Sequence, residues 1–591
     1  MIPTESIIHK KYFMEEIKMK AKKILAILFV VIMMITMVAA CADNDDPAQP
    51  PVATGDTEVP PAGDEDVTPA ETGLEPITIV IATDTDGGLG EDSATNPHWP
   101  TPITAAIAEM TGITVEFRAL GEEGFNVMLA GGDMPDILFT GGGVDMEQLV
   151  AAGQVIPLDG LLESNGQDIL ANSAQTVDML RDTDFDAIYW IPTRTGPAAS
   201  GAETAFAKVV RWDLYEAIGK PEITSPERWI EILEEMRELE PETETGRRTT
   251  GMGYMTWGDI WHYTLPTMFS MGFWETGDWA FVADVTTNEI MENYVDFNSP
   301  LWANMQMMFE LNQRNLLDPD SFTQGPEELW EKAGDGMYMG GLIVWFFRYN
   351  ELQDQDGIRG FVPVPSYLDA VNERGVSIGG ERRLSISSNA EHPERAMDLI
   401  NFFHSADGLR LLGSGVEGMH WDYIDGVPTL RPEIIPAINT PSIRDPIWGI
   451  SVFDLVTGIQ SFRHPDGYFA NLFQEPEIIA TTLTGWQRAM AEHFGANTPA
   501  EVFLNLVDSG QMRDFSQADT SIPSRMASRP DDIAFIRADV DEIVHRALPG
   551  LAFAANQEEF DSLRDQMIAD IMAAGYQEYA DWFIAEFNRV R

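Results

Sequence analysis

The sequence predicts an α/β fold of more than one domain, and three observations carry that prediction. Ile77-Thr78-Ile79-Val80-Ile81-Ala82 is an unbroken, mostly β-branched run of the kind that forms a buried parallel strand. Thr101-Pro102 pairs a helix N-cap with a proline at the first helical position, and Gly112 stops that helix just before a second strand, Ile113–Phe117. Strand, helix and strand make a βαβ unit. Once the N-terminal segment below is set aside, about 550 residues remain, more than a single hydrophobic core usually holds.

The chain begins with an export signal. Lys22-Lys23 precede an apolar run from Ile24 to Val38, then Ala39-Ala40 and Cys41, the single cysteine of the chain. A basic start, an apolar middle and small residues before a cut describe a secretory signal. Its ending, Val38-Ala39-Ala40-Cys41, resembles the bacterial lipobox, which implies a signal peptide over 1–40 and lipidation at Cys41. An uncleaved anchor fits less well: the run is short of the ~20 apolar residues that span a bilayer. The flank Asp43-Asn44-Asp45-Asp46 also carries no base. Met19 is an alternative start.

Residues 41–75 are rich in proline, acid and small residues, which predicts a disordered tether spanning roughly 30 Å or more. The whole chain has 95 acidic and 37 basic residues, a net charge of −58. Only Lys208, Lys220 and Lys332 lie beyond Cys41. So negative a surface excludes nucleic acid as a partner and leaves the lipid as the only membrane contact. With one cysteine, no intramolecular disulfide forms.

In the folded body, the first helix carries Ile103, Ile107 and Met110 on one face. A short helix with Phe125, Met128 and Leu129 leads to the strand Asp136–Phe139, which ends in Thr140 and three glycines. AFAKVVRWDLYEAIG reads as a strand running into a helix. Ser225-Pro226 caps an amphipathic helix bearing Trp229, Ile232, Leu233, Met236 and Leu239. GDGMYMGGLIVWFF reads as a strand pair, RGFVPVP and GGERRLSISS as strands, and 394–412 as one helix. The C-terminal third is mainly helical; there Phe560, Leu563, Met567 and Ile571 form one apolar stripe, and Tyr576, Tyr579, Phe583 and Phe587 another.

No catalytic or cofactor motif stands out. The nine histidines are scattered. Asp84-Thr85-Asp86-Gly87 and Asp182-Thr183-Asp184 resemble calcium loops but have Thr95 and Thr193 where the bidentate Glu belongs. Phosphate-binding glycine motifs and a nucleophile elbow are absent. Neither a metal nor a cofactor is expected. Fifteen tryptophans, with Trp257, Trp261, Trp274 and Trp279 close together, supply flat faces of the kind that pack on sugar rings.

Longer stretches resemble a known family. LAGGDMPDILF at 129–139, VVRWDLYEAIGKPEITSPERW at 209–229, LLDPDSF at 316–322 and SISSNAEHPERAMDLINFFHSADGLRLLGSGVEGMHWDYIDGVP at 385–428 are similar to the extracellular solute-binding proteins, family 1, of ABC importers. The stretches particularly resemble the Lpl-type branch of sugar-binding lipoproteins. The resemblance implies a two-lobe, periplasmic-binding-protein-like fold of class II type, with hinge crossings and a helical C-terminal extension. Lobe I would comprise 76–195 with about 375–430, and lobe II 196–374 with about 431–591.

The resemblance also implies a monomeric, non-enzymatic receptor on the extracellular face of a Gram-positive-type membrane. It would pass a carbohydrate from the interlobe cleft to permease subunits. A surface glycoside hydrolase and a receptor for a non-sugar solute such as a peptide are the alternatives. By position, Asp84 and Asp86 would face the cleft, Thr140 and Gly141 would form the second binding loop, and Trp345 the aromatic platform. Glu381 and Arg382 precede a crossing strand; Trp257 and Trp261 would stack, with Trp99 near them. His420 and Trp421 mark the branch, either touching ligand or holding a turn.

Overall fold

The computed structural model describes residues 75–84, 93–141, 146–181, 185–197, 206–256, 261–347, 357–367, 370–371, 376–377, 382–434, 449, 458–459, 461–515, 517–520, 522–527 and 529–591. The chain divides into two compact units, Met1–Val67 and Thr68–Arg591, and every described residue belongs to the second. Cys41 and the tether lie outside the described residues.

The first sheet begins with β1 (Ile77–Thr83), followed by β2 (Ile113–Ala119) and β3 (Ile137–Gly141). β1 runs parallel to both neighbours, as its β-branched composition predicts. The connecting helix, Pro102–Thr111, starts where expected: the Thr101 hydroxyl accepts the Thr104 N–H, and Gly112 ends the helix in the left-handed conformation, φ 70°. The strand Arg382–Ile386 comes back antiparallel to β3 and pairs on its other side with β4 (Ile191–Pro192), giving the order β2-β1-β3-(Arg382–Ile386)-β4. Ile79, Ile81, Val115, Phe117, Ile137, Leu384 and the helix Pro393–Phe403 fill a first hydrophobic core around this sheet.

Three short strands follow one another in space although far apart in sequence. β5 (Arg194–Pro197) pairs antiparallel with Val376–Ser377 and parallel with Gly458–Ile459. β5 and Val376–Ser377 each lie in a stretch between residues of the first core and residues of a second, so two chain crossings meet in this small sheet, while the residues after Gly458–Ile459 pack back on 410–430.

The second core surrounds an antiparallel sheet in which β6 (Phe206–Arg211) lies between Gly340–Ile343 and Phe361–Val364. Trp212, Trp229, Met236, Met305 and Tyr338 pack on it, and the C-terminal helices Asp531–Ala552, Gln557–Ala573 and Tyr576–Val590 belong to the same core. Among the described residues, no helix is long and apolar enough to cross a membrane.

Several sequence expectations are corrected. GDGMYMGGLIVWFF supplies one strand rather than a pair: Gly340–Ile343 pairs with β6, its register shifts between Gly341 and Ile343, and Val344–Phe347 winds into a 3₁₀ turn. The helix expected over 394–412 is two, Pro393–Phe403 and Ala406–Ser414. Ser405 starts the second by accepting the Gly408 N–H, and Gly408 lies so close to the Phe402 carbonyl that a side chain there would collide. Met110 and Leu239 are exposed although they continue apolar stripes, because each sits in the last turn of its helix, beyond the packed neighbour. Leu563 is only half-buried.

Candidate functional site

Asp84 is the first residue past β1, at its carboxyl end, where open α/β sheets hold their ligands. The register of β1 on β3, Thr83 opposite Phe139, leaves Gly141 projecting beyond the end of β1. There the Gly141 N–H donates to both Asp84 oxygens, at 3.0 and 3.1 Å. A Cβ on residue 141 would stand 3.2 Å from Oδ2, closer than ordinary contact, so glycine lets the backbone reach the carboxylate. Arg382 is the register partner of Gly141 on the next strand. Burial raises the Asp84 pKa, opposed by the Gly141 N–H and by the Arg382 charge. Asp84, Gly141 and Arg382, named separately from sequence, are therefore brought together by three chain segments.

Thr140 is buried, its hydroxyl 3.9 Å from the Met146 sulfur, so at this edge it contributes structure from within the sheet. Asp136, in the MPDILF stretch, accepts the Val80 N–H at 2.9 Å and ties β3 to β1. Trp99 is half-buried against the first core. Two residues at this edge were not anticipated. The Arg383 guanidinium lies 5.6 Å from the Trp190 ring centre, and Trp190 meets Phe185 edge-on at 5.1 Å. The Arg382-Arg383 doublet, in a chain so poor in bases, is the signal that marks them.

A second group is aromatic. Trp261 opens the helix Trp261–Met271 and stands edge-on to Phe346, ring centres 6.0 Å apart. Phe346 belongs to the 3₁₀ turn that also contains Trp345. Tyr263 stacks on Phe322 at 4.8 Å. The stretch leading to this helix is held by Gln324: its side chain donates to the Tyr254 carbonyl and its own carbonyl accepts the Thr256 N–H at 2.7 Å. Gln324 is anchored in turn by Lys332 at 2.7 Å and Asp318 at 3.1 Å. Asp318 of the LLDPDSF stretch joins this buried network with Gln324 and Lys332 beyond it, a link to the tryptophans that sequence pattern alone does not make.

His420 and Trp421 are turned inward. His420 Nδ1 accepts the Val416 N–H at 2.7 Å, and the Trp421 indole N–H donates to the Gly415 carbonyl at 2.9 Å. Both are buried, and these contacts hold the turn before the hairpin 421–430. Asp86, Trp257 and Glu381 lie outside the described residues. Among the described residues, no group of three or more His, Cys, Asp and Glu is placed to hold a metal ion.

The sheet edge of the first core thus offers a carboxylate, a guanidinium and backbone donors, and the second core carries a cluster of rings. Such an assembly can take hydrogen bonds and stack flat apolar faces.

Comparison with known proteins bears on both fold and family. Residues 96–409 match the family model described as bacterial extracellular solute-binding protein. No curated protein sequence matches the chain. Among solved structures, the chain is similar to the alginate-binding protein AlgQ2 without calcium ion, at 14% identity and TM-score 0.58, over 87% of this chain and 98% of that one. It is also similar to the HMO-binding ABC-transporter-associated solute-binding protein from Bifidobacterium longum infantis, at 14% identity and TM-score 0.57, over 87% and 99% of the two chains. The substrate-binding protein FusA of S. pneumoniae in complex with kestose aligns at 13% identity and TM-score 0.59, again over 87% and 99%. At such identities these likenesses establish the mixed α/β periplasmic-binding-protein fold. The family match spans more than half of the sequence, and the chain belongs to the bacterial extracellular solute-binding proteins, the non-enzymatic binding components of ABC transporters.

Proposed function

We propose that this protein is an oligosaccharide receptor of an ABC importer, held at the extracellular face of the membrane by a lipid on Cys41. The observation that carries the reading is the convergence of Asp84, Gly141 and Arg382 at the carboxyl edge of β1 and β3. Carboxylate and guanidinium together match the donor and acceptor pairs of vicinal hydroxyls. Trp261 and the turn carrying Trp345 supply ring faces for the sugar. Structural neighbours whose names record alginate, HMO and kestose as ligands support the same class.

In this reading lobe I is 76–195 with about 375–430, and lobe II is 196–374 with about 431–591. The three-stranded crossing sheet is the hinge about which they close. Thr140 acts from inside the sheet, and Trp99, Asp86, Trp257 and Glu381 are further contacts. His420 and Trp421 serve the fold. The loaded receptor docks on permease subunits, and its acidic surface suits a basic partner.

The test is a thermal-shift screen of the purified protein against neutral and acidic oligosaccharides, peptides and amino-acid derivatives. One glycan class should raise the melting temperature in proportion to the logarithm of its concentration. A shift with peptides and none with any glycan overturns the carbohydrate reading.

A further inference from the structure

We infer that Lys332 is a positioning residue for ligand binding, acting through Gln324 to fix the chain on both sides of Trp261 and so to hold that ring for stacking; the inference rests on the oligosaccharide reading above. Lys332 lies in the helix Pro326–Gly334 and is buried. Its ammonium donates to Asp320 at 2.7 Å, to Gln324 Oε1 at 2.7 Å and to Asp318 at 3.2 Å. An ammonium has donors only, so the Gln324 amide turns its oxygen toward Lys332. The NH2 group is thereby left for the Tyr254 carbonyl and for Asp318 Oδ2, 3.1 Å away. With the amide reversed, its NH2 group would meet the ammonium and its oxygen would meet the Tyr254 carbonyl, a costly mismatch in a buried site.

The main chain follows the same turn. The Gln324 carbonyl accepts the Thr256 N–H at 2.7 Å and the Thr256 hydroxyl at 3.0 Å. The Ser321 hydroxyl accepts the Tyr254 N–H at 3.2 Å, and the Ser321 carbonyl accepts the Tyr263 hydroxyl at 3.1 Å. Tyr263 also stacks on Phe322. The turn 318–324 therefore grips the chain before Trp261, at 254–256, and after it, at Tyr263. Asp318 and Asp320 open that turn and Gln324 closes it, so one ammonium joins its two ends. Trp261 is only partly buried against the second core and meets Phe346 edge-on. The direction of such a ring depends on the supporting groups that hold its backbone.

The experiment is a double-mutant cycle read by isothermal titration of the full-length protein in detergent. The probe is whichever of kestose, lacto-N-tetraose and alginate trisaccharide binds tightest. Lys332→Met should weaken binding about three- to tenfold, the worth of one stacked ring. In the Trp261→Ala background the same substitution should change affinity by less than about twofold, because the ring it positions is gone. A lysine that serves the fold alone would weaken binding equally in both backgrounds. Gln324→Met removes the amide and leaves Lys332 with its two carboxylates; it should reproduce the pattern, and it keeps the test open where Lys332→Met folds poorly. Asp278→Ala, a destabilising change elsewhere in the second core, should leave affinity as in wild type. Unaltered binding in Lys332→Met and Gln324→Met, losses that add to that of Trp261→Ala, or an equal loss in Asp278→Ala overturns the inference while the receptor reading stands. Wild-type binding by Trp261→Ala removes the stacking role and the inference with it. Failure of every glycan to bind overturns the oligosaccharide reading and the inference together.

Discussion

Both oxygens of Asp84 accept the Gly141 backbone N–H, at 3.0 and 3.1 Å. Through that contact the ends of β1 and β3 are tied, and the carboxylate is held half-buried at their carboxyl edge. Burial raises its pKa, so the folded state holds the proton more tightly than the unfolded chain does. The stability this contributes is present below the unfolded pKa and is lost as pH rises through the folded one. Asp84→Asn is therefore expected to melt at or above the wild-type temperature at pH 7, with no gain at pH 3. Ligand affinity should fall about tenfold or more, the worth of a charge-assisted hydrogen bond. Melting curves at the two pH values and titration with the ligand check both halves; a variant that melts lower and binds normally contradicts the assignment.

His420 predicts an acid-labile turn. Burial and the Arg431 charge lower its pKa to about 4, from the ordinary 6.5, and its Nδ1 is committed to the Val416 N–H. The unfolded chain binds the proton first, so stability is full above pH 6.5 and declines as pH falls toward 4. The loss amounts to about 3 kcal/mol. His404, buried and likewise held below its ordinary pKa, adds to the same trend. In His420→Asn the amide oxygen can accept the same N–H without titrating. Urea midpoints measured from pH 7.5 to 4 should fall less steeply for this variant than for wild type.

Asp278 fastens the C-terminal helices to the second core. Its side chain is fully buried and meets Arg529 at 2.7 Å and Arg537 at 3.3 Å, while Arg537 also meets Asp541 at 3.4 Å. Removing the carboxylate leaves two partly buried guanidinium groups without their common partner. Asp278→Ala should cost about 3–5 kcal/mol. Hydrogen exchange should accelerate first in 531–590; uniform acceleration across both cores would mean that the contact does not act locally.

Gly340 is required by close packing. A Cβ there would run into the Val209 carbonyl oxygen of β6 and come within 2.9 Å of the Trp229 ring. Gly340→Ala should destabilise by about 2–3 kcal/mol through overpacking. Gly334 ends a helix with nothing within 4 Å of its hypothetical Cβ, so Gly334→Ala should be neutral or stabilising by up to about 1 kcal/mol. Denaturant titration of the two variants side by side measures the difference.

Sequence and structure divide the information along physical lines. The strands Ile77–Thr83 and Ile113–Ala119 and the helix capped by Thr101 were legible because their signals are local: β-branched runs, an N-cap hydroxyl, a glycine stop. The break of the helix at Ser405 was not legible, because it depends on how Gly408 seats against the Phe402 carbonyl. Nor was the 3₁₀ turn at Val344–Phe347, where the pairing partner, not propensity, ends the strand. His420 and Trp421 stood out in the sequence without revealing that they face inward.

By itself the sequence determined the α/β class, the positions of most elements and the extreme negative charge, all consequences of local pattern and composition. Its resemblance to a family of solute receptors supplied the functional class. Only the tertiary structure decided that Asp84, Gly141 and Arg382 share one edge, since they are joined by strand register across a distance of nearly 300 residues in the chain. It likewise decided which cations are engaged. Charge is counted along a chain, but its availability to a ligand depends on which neighbours the fold has already placed beside it.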